Sequence, residues 1–251
     1  MNKEILGEMK YEYEYNSVNH KVINLFYEFQ KNIPKSPDYY INEFKKESII
    51  YYIYDSILSY SKQSFYNLVL GNIELYKAGI RMLVENYIIL LGIKNDNADK
   101  WKKYFLHSSA TTLTMLKNNP KINLAFVENA FEKFKEEYDL KEIEYEDKKF
   151  NYSWLSTDNK KIKTFRDACD LLEPKVYEDF KLLSYTSHSN SYFSKFSGFD
   201  SSCYSSVMLH LLYLYKVVEI LNFKQTNNYI KSYNDLVNYL DYLNKNDPFL
   251  N

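Results

Sequence analysis

Residues 72–92 read "NIELYKAGIRMLVENYIILLG". At 100° per residue, Ile73, Tyr76, Ile80, Leu83, Val84, Tyr87 and Leu91 fall on one face of a helix. Glu74, Lys77, Arg81 and Glu85 form a second stripe, about a quarter turn away. Toward the end, Ile88, Ile89, Leu90 and Leu91 cover nearly every direction. A helix that is apolar all round is enclosed by other helices. The charged stripe is therefore expected to be partly buried, and buried charges need partners.

The rest of the chain repeats this helical pattern. Its 251 residues include only five glycines and five prolines, against 27 tyrosines and 16 phenylalanines. Few chain breakers and many long side chains predict an all-α protein. The expected architecture is a single helical-bundle domain over residues 1–251, with six to eight helices. Residues 1–38 form an N-terminal helical extension, 39–223 the core bundle and 224–251 a C-terminal helix. Within that frame, helices are predicted over 3–32, from about Asp38 through the "SIIYYIYDSILSYS" run, from about Gln63 to Ile93, and from Trp101 to the stop at "NNP". Others follow over 121–138, from Lys160, over 174–190, over 203–223 and over 226–244. Gly71 is read as a kink. Residues 139–159 have no clear period and are read as a long loop carrying a short strand pair.

Composition narrows the function classes. Net charge is −1, so no global positive field draws in nucleic acid, and any such contact is local. Cys169 and Cys203 have neither metal-ligand nor disulfide-framework spacing, which suits a reducing cytoplasm. The N-terminal "MNKEILGEMKYEYEY" lacks the apolar region of a signal peptide. The apolar run "YIILLGI" at 87–93 is too short to span a bilayer. No metal site and no cofactor are expected.

A second polar stripe lies on the 174–190 helix. Tyr177, Ser184 and His188 share one face, and the stretch "LLSYTSHSNSY" (182–192) surrounds His188 with hydroxyls and Asn190. A histidine ending a helix is stabilised by the helix dipole and need do nothing more. An Arg81–Glu85 pair likewise has a purely local reading, an i,i+4 ion pair of about 0.3–0.5 kcal/mol. His210, within "VMLHLLYLY", reads as a core histidine with its hydrogen bonds satisfied.

The combination of R-x-x-x-E (Arg81–Glu85) with "KIKTFRDACDLL" and "VYEDFKLLSYTSH" resembles a bacterial all-helical family of unknown function. In that family a "Y…Y..lS…H" segment follows the arginine–glutamate pair. Tyr177, Ser184 and His188 match it, and Phe180 or Tyr185 stands where the second tyrosine falls. The resemblance spans roughly residues 40–222. The family is similar to the HEPN helical bundles, many of which are metal-independent RNA endonucleases of toxin–antitoxin and antiviral defence systems. What the resemblance implies is RNA as a partner, a homodimer, and a partner protein within a defence system. HEPN nucleases carry arginine and histidine on one helix, with four to six residues between them. Here neither Arg81 nor Arg166 has a histidine at that distance, so the two come from different helices.

Three classes of function follow. As an endoribonuclease, His188 acts as general acid or base near its ordinary pKa, Arg81 stabilises phosphorane charge and Glu85 orients Arg81. Lys77, Tyr177, Ser184 and Asn190 hold the substrate. As a binding module, the same residues hold a nucleotide or other anion without catalysis. As an interaction protein, they form a buried polar network that fixes helix register.

Overall fold

A computed structural model describes residues 17–38, 45–95, 100–116, 151–157, 159–188 and 201–246, with isolated helical positions between 125 and 136. Among the described residues the chain is all-α. Eight helices are defined: α1 (Ser17–Asn32), α2 (Lys46–Val69), α3 (Ile73–Lys94), α4 (Lys100–Leu116), α5 (Phe165–Leu172), α6 (Lys175–His188), α7 (Ser201–Ile220) and α8 (Asn227–Asn246), with a 3₁₀ turn at Ser153–Leu155. None of them is long and apolar enough to cross a membrane. The expected 121–138 helix falls outside the described residues apart from those isolated positions, as do residues 1–16 and 139–150.

Close contacts divide the chain into two compact units. The first comprises Met1–Asp38, Ile53–Tyr87 and Glu178–Asn251; the second comprises Tyr39–Tyr52 and Ile88–Tyr177.

In the first unit α8 packs along α1 and against α7. The spacing of the buried residues explains why. Val22, Phe26 and Phe29 on α1, and Tyr229, Ser232, Leu236 and Leu240 on α8, recur every three or four residues and are buried. Phe29 meets the rings of Tyr229 and Tyr233 at 5.4 and 6.0 Å. The stripe read from α3 is also buried in this unit: Tyr76, Ile80, Leu83 and Val84 are all fully covered. Helix α3 approaches α2 closely at Gly79, where an added Cβ would lie 2.0 Å from Ser64 Oγ.

The boundary between α2 and α3 corrects the sequence reading. A break near residue 62 was expected, followed by one helix with a kink at Gly71. Instead α2 runs unbroken to Val69 and the chain turns at Leu70–Asn72. Gly71 has φ 72°, the left-handed conformation that ends helices cheaply only for glycine. Asn72 Oδ1 then accepts a hydrogen bond from Leu75 N at 3.3 Å and caps α3. The serines flanking that position are core residues: Ser61 and Ser64 are buried, and Ser64 Oγ donates to the Tyr60 carbonyl.

The second unit gathers Ile88–Leu91, Ile93, Trp101, Leu106, Ile162, Cys169 and Val176. Part of the expected loop belongs to its core. Tyr152, Trp154 and Leu155 are buried, and an added Cβ on Gly92 would stand 2.9 Å from both Trp154 and Leu155. Trp154 also meets Tyr104 edge-on, and His107 Nε2 accepts from the Asn151 amide at 2.9 Å. The suspected strand pair is a single isolated bridge, Thr157–Lys160. Helix α5 starts at Phe165 rather than near Lys160. A reciprocal cap fixes the start, with Asp167 N donating to Thr164 Oγ1 and Thr164 N donating to Asp167 Oδ2. Those bonds, from Thr164 first, hold the exposed Asp167 carboxyl below its ordinary pKa.

Candidate functional site

The site is built on the third turn of α3 and the middle of α6, in the parts of both that belong to the first unit. Arg81 is half-buried, and its guanidinium carbon lies 4.6 Å from the centroid of the Phe180 ring. Such stacking holds the cation in a fixed plane and contributes about 0.5–1 kcal/mol where water still reaches it. Its Nε is buried and has no hydrogen-bond partner. A buried donor left unsatisfied costs about 1–3 kcal/mol. This is uncommon in native structures and calls for a specific reason.

Glu85 stands one helical turn beyond Arg81 and is also half-buried. Burial raises its carboxyl above the ordinary range, and the Arg81 charge offsets that only in part. The two are thus coupled through space, but Glu85 does not bond the buried Nε. Of the readings the sequence left open, a closed i,i+4 ion pair is not what the fold holds: the guanidinium is stacked on Phe180 and its Nε has no partner.

The other expected site residues divide. Lys77, one turn before Arg81, is 4% exposed and already engaged in a contact of its own. Ser184 is half-buried, and its Oγ donates to the Phe180 carbonyl at 2.8 Å, closing back on its own helix. Tyr177 belongs to the second unit, where its ring lies 5.5 Å from the Arg166 guanidinium and 6.5 Å from Phe165. His188 is the last residue of α6, eight positions and so about 12 Å along the axis from Phe180. The His188 side chain and the whole of Asn190 lie outside the described residues.

Sequence reasoning missed Phe180 as the platform for Arg81. The resemblance places it only as a stand-in for a motif tyrosine, and nothing in its spacing distinguishes a ring that fills a core from one that stacks on a cation. His210 is the satisfied core histidine that its segment implied, although its partners, distant in sequence, were not legible. His210 is fully buried, with Nε2 2.8 Å from Ser61 Oγ and Nδ1 3.3 Å from Tyr76 Oη. Gln30 Nε2 donates to Ser61 Oγ at 2.9 Å, so the consistent assignment has Ser61 donating to His210 Nε2 and Nδ1–H donating to Tyr76. The Phe26 ring lies 4.7 Å from the imidazole. Burial lowers the His210 pKa to about 3. The ring is neutral at physiological pH and too weak a base to activate Ser61.

Among the described residues no three His, Cys, Asp or Glu side chains converge as a metal site. No protein-family model, no curated protein and no solved structure matches this chain.

Proposed function

We propose that the chain binds a phosphate-bearing ligand at Arg81. The observation that carries this reading is the unsatisfied, stacked guanidinium beside a Glu85 that does not bond its Nε. Nε and one terminal nitrogen make up the side-on edge that grips phosphate or carboxylate with two parallel hydrogen bonds. Nε is sealed in the present conformation, so the half-buried side chain must rotate to bring that edge to a ligand. Glu85 then restrains the rotation electrostatically. Fluorescence anisotropy with a labelled single-stranded RNA tests the reading. The wild-type chain should bind with an affinity that falls as salt rises, and Arg81→Gln should weaken binding at least tenfold. Equal affinity of both proteins contradicts it.

A second reading adds catalysis: metal-independent RNA cleavage in a HEPN-like defence protein. It rests on His188 closing the same helix that carries Phe180, with Ser184 between them. The RNA 2′-hydroxyl would attack the adjacent phosphate and expel the 5′-oxygen, leaving a 2′,3′-cyclic phosphate; His188 would take the 2′-hydroxyl proton and return it to the departing 5′-oxygen, and Arg81 would hold the developing charge. Incubating labelled total RNA with wild type and His188→Ala, each with and without chelator, tests it. Cleavage by wild type in chelator and none by the variant is the expected outcome. A homodimer and a partner protein are further expectations of this reading, and light scattering checks the first.

A further inference from the structure

A cleft of about 400 Å³ opens between α1, the segment after it, and α2 in the first unit. Its size falls within the roughly 300–1,000 Å³ typical of small-molecule sites. Its chemistry is divided. One wall is aromatic: Tyr27 and Phe65 lie nearly parallel, 6.4 Å apart. The rim is cationic, with Lys35 and Lys62 exposed at the mouth, and no carboxylate lines the cleft. Lys31 also lines it but is held by Glu28 at 3.1 Å.

The floor is polar and rigid. Gln30 and Ser61 both line the cleft, and Gln30 Nε2 donates to the Ser61 carbonyl and to Ser61 Oγ. The amide nitrogen is thus turned to Ser61, and the remaining polar atom of the side chain, Gln30 Oε1, is an acceptor. Ser61 is in turn anchored by the buried His210. An aromatic wall, one oriented amide acceptor and two cations at the mouth match a flat heterocycle bearing an exocyclic amine and a dianionic group.

We propose that this cleft binds a nucleoside monophosphate. The base lies against the Tyr27–Phe65 wall with its amino group toward Gln30, and the phosphate meets Lys35 and Lys62. The cleft binds without reacting, because the Ser61 hydroxyl is already committed to His210. The proposal is independent of the Arg81 reading, because it uses other residues.

Isothermal titration of the full chain with adenosine 5′-monophosphate tests it. Binding should be saturable, and adenosine and inorganic phosphate should each bind at least tenfold more weakly. The double variant Lys35→Ala/Lys62→Ala should lose at least tenfold in affinity. Leu58→Trp, which fills the apolar side of the cleft without altering charge, should also block binding and decides the matter if the double variant fails to fold. The proposal is overturned if the nucleotide does not bind, if inorganic phosphate binds as tightly, or if the cleft variants bind like wild type.

Discussion

Two buried polar clusters of the first unit invite comparison, one around His210 and one around Arg81. Around His210 the accounts close: Gln30, Ser61, the imidazole and Tyr76 form a chain in which both ring nitrogens have partners. Around Arg81 they do not, because Nε is buried and unbonded and the nearby Glu85 carboxyl is pushed up by burial. A complete network explains itself as architecture. An incomplete one carries an unfavourable term that a ligand can remove. The contrast shows why the most buried histidine of this chain is a poor candidate for chemistry, while a half-buried arginine with less company is a good one.

The largest expected effect breaks the complete network. His210→Ala should lower folding stability by about 2–4 kcal/mol in urea unfolding, through the cavity and the partner that Ser61 and Tyr76 each lose. A change below about 1 kcal/mol would mean that the network does not hold this unit together.

The same network should show in pH dependence. The folded His210 pKa, about 3, lies below the ordinary 6.5, so the unfolded chain takes up the proton first as pH falls. Its effect on stability is nil above about pH 6.5 and destabilising below it, by about 1.4 kcal/mol per pH unit. Glu85 acts in the opposite sense: its raised folded pKa favours the folded chain toward acid, and that contribution is lost as pH rises. Unfolding midpoints between pH 7 and 4.5 should therefore fall with pH in wild type and flatten in His210→Asn. Parallel curves for the two proteins would assign the acid sensitivity elsewhere.

A smaller effect is expected at Ser184. Its hydroxyl already closes on the Phe180 carbonyl, so Ser184→Ala should change both stability and RNA affinity little, by under about 0.5 kcal/mol in unfolding experiments. A large loss of binding would return Ser184 to the ligand and weaken the distinction between satisfied and unsatisfied groups.

The helical class was legible because hydrophobic periodicity is a local property, and the 72–92 stripe is buried as its spacing implied. What was not legible depends on contacts distant in sequence. "SYSKQS" looked like a break because buried serines and exposed ones are spelled alike; only His210, 149 positions from Ser61, shows that Ser61 faces a core. "NYSWLS" looked like loop because it has no period, yet Trp154 and Leu155 pack against Gly92. Arg81 and Glu85 were legible as a partly buried pair. Their incomplete bonding was not, because i,i+4 spacing permits an ion pair without requiring one. Phe180, which stacks on Arg81, could be found only once α3 and α6 were placed together.

The central claim is that the unsatisfied guanidinium is reserved for a ligand rather than for the fold. The most direct test measures RNA affinity and unfolding free energy on the same preparations of wild type and Arg81→Met. Methionine keeps an unbranched side chain on Phe180 and removes the donors. The account predicts at least a tenfold loss of affinity with stability changed by less than about 1 kcal/mol, because removing an unsatisfied buried donor offsets the loss of cation stacking. Unchanged affinity, or a loss of stability as large as that of His210→Ala, would contradict it.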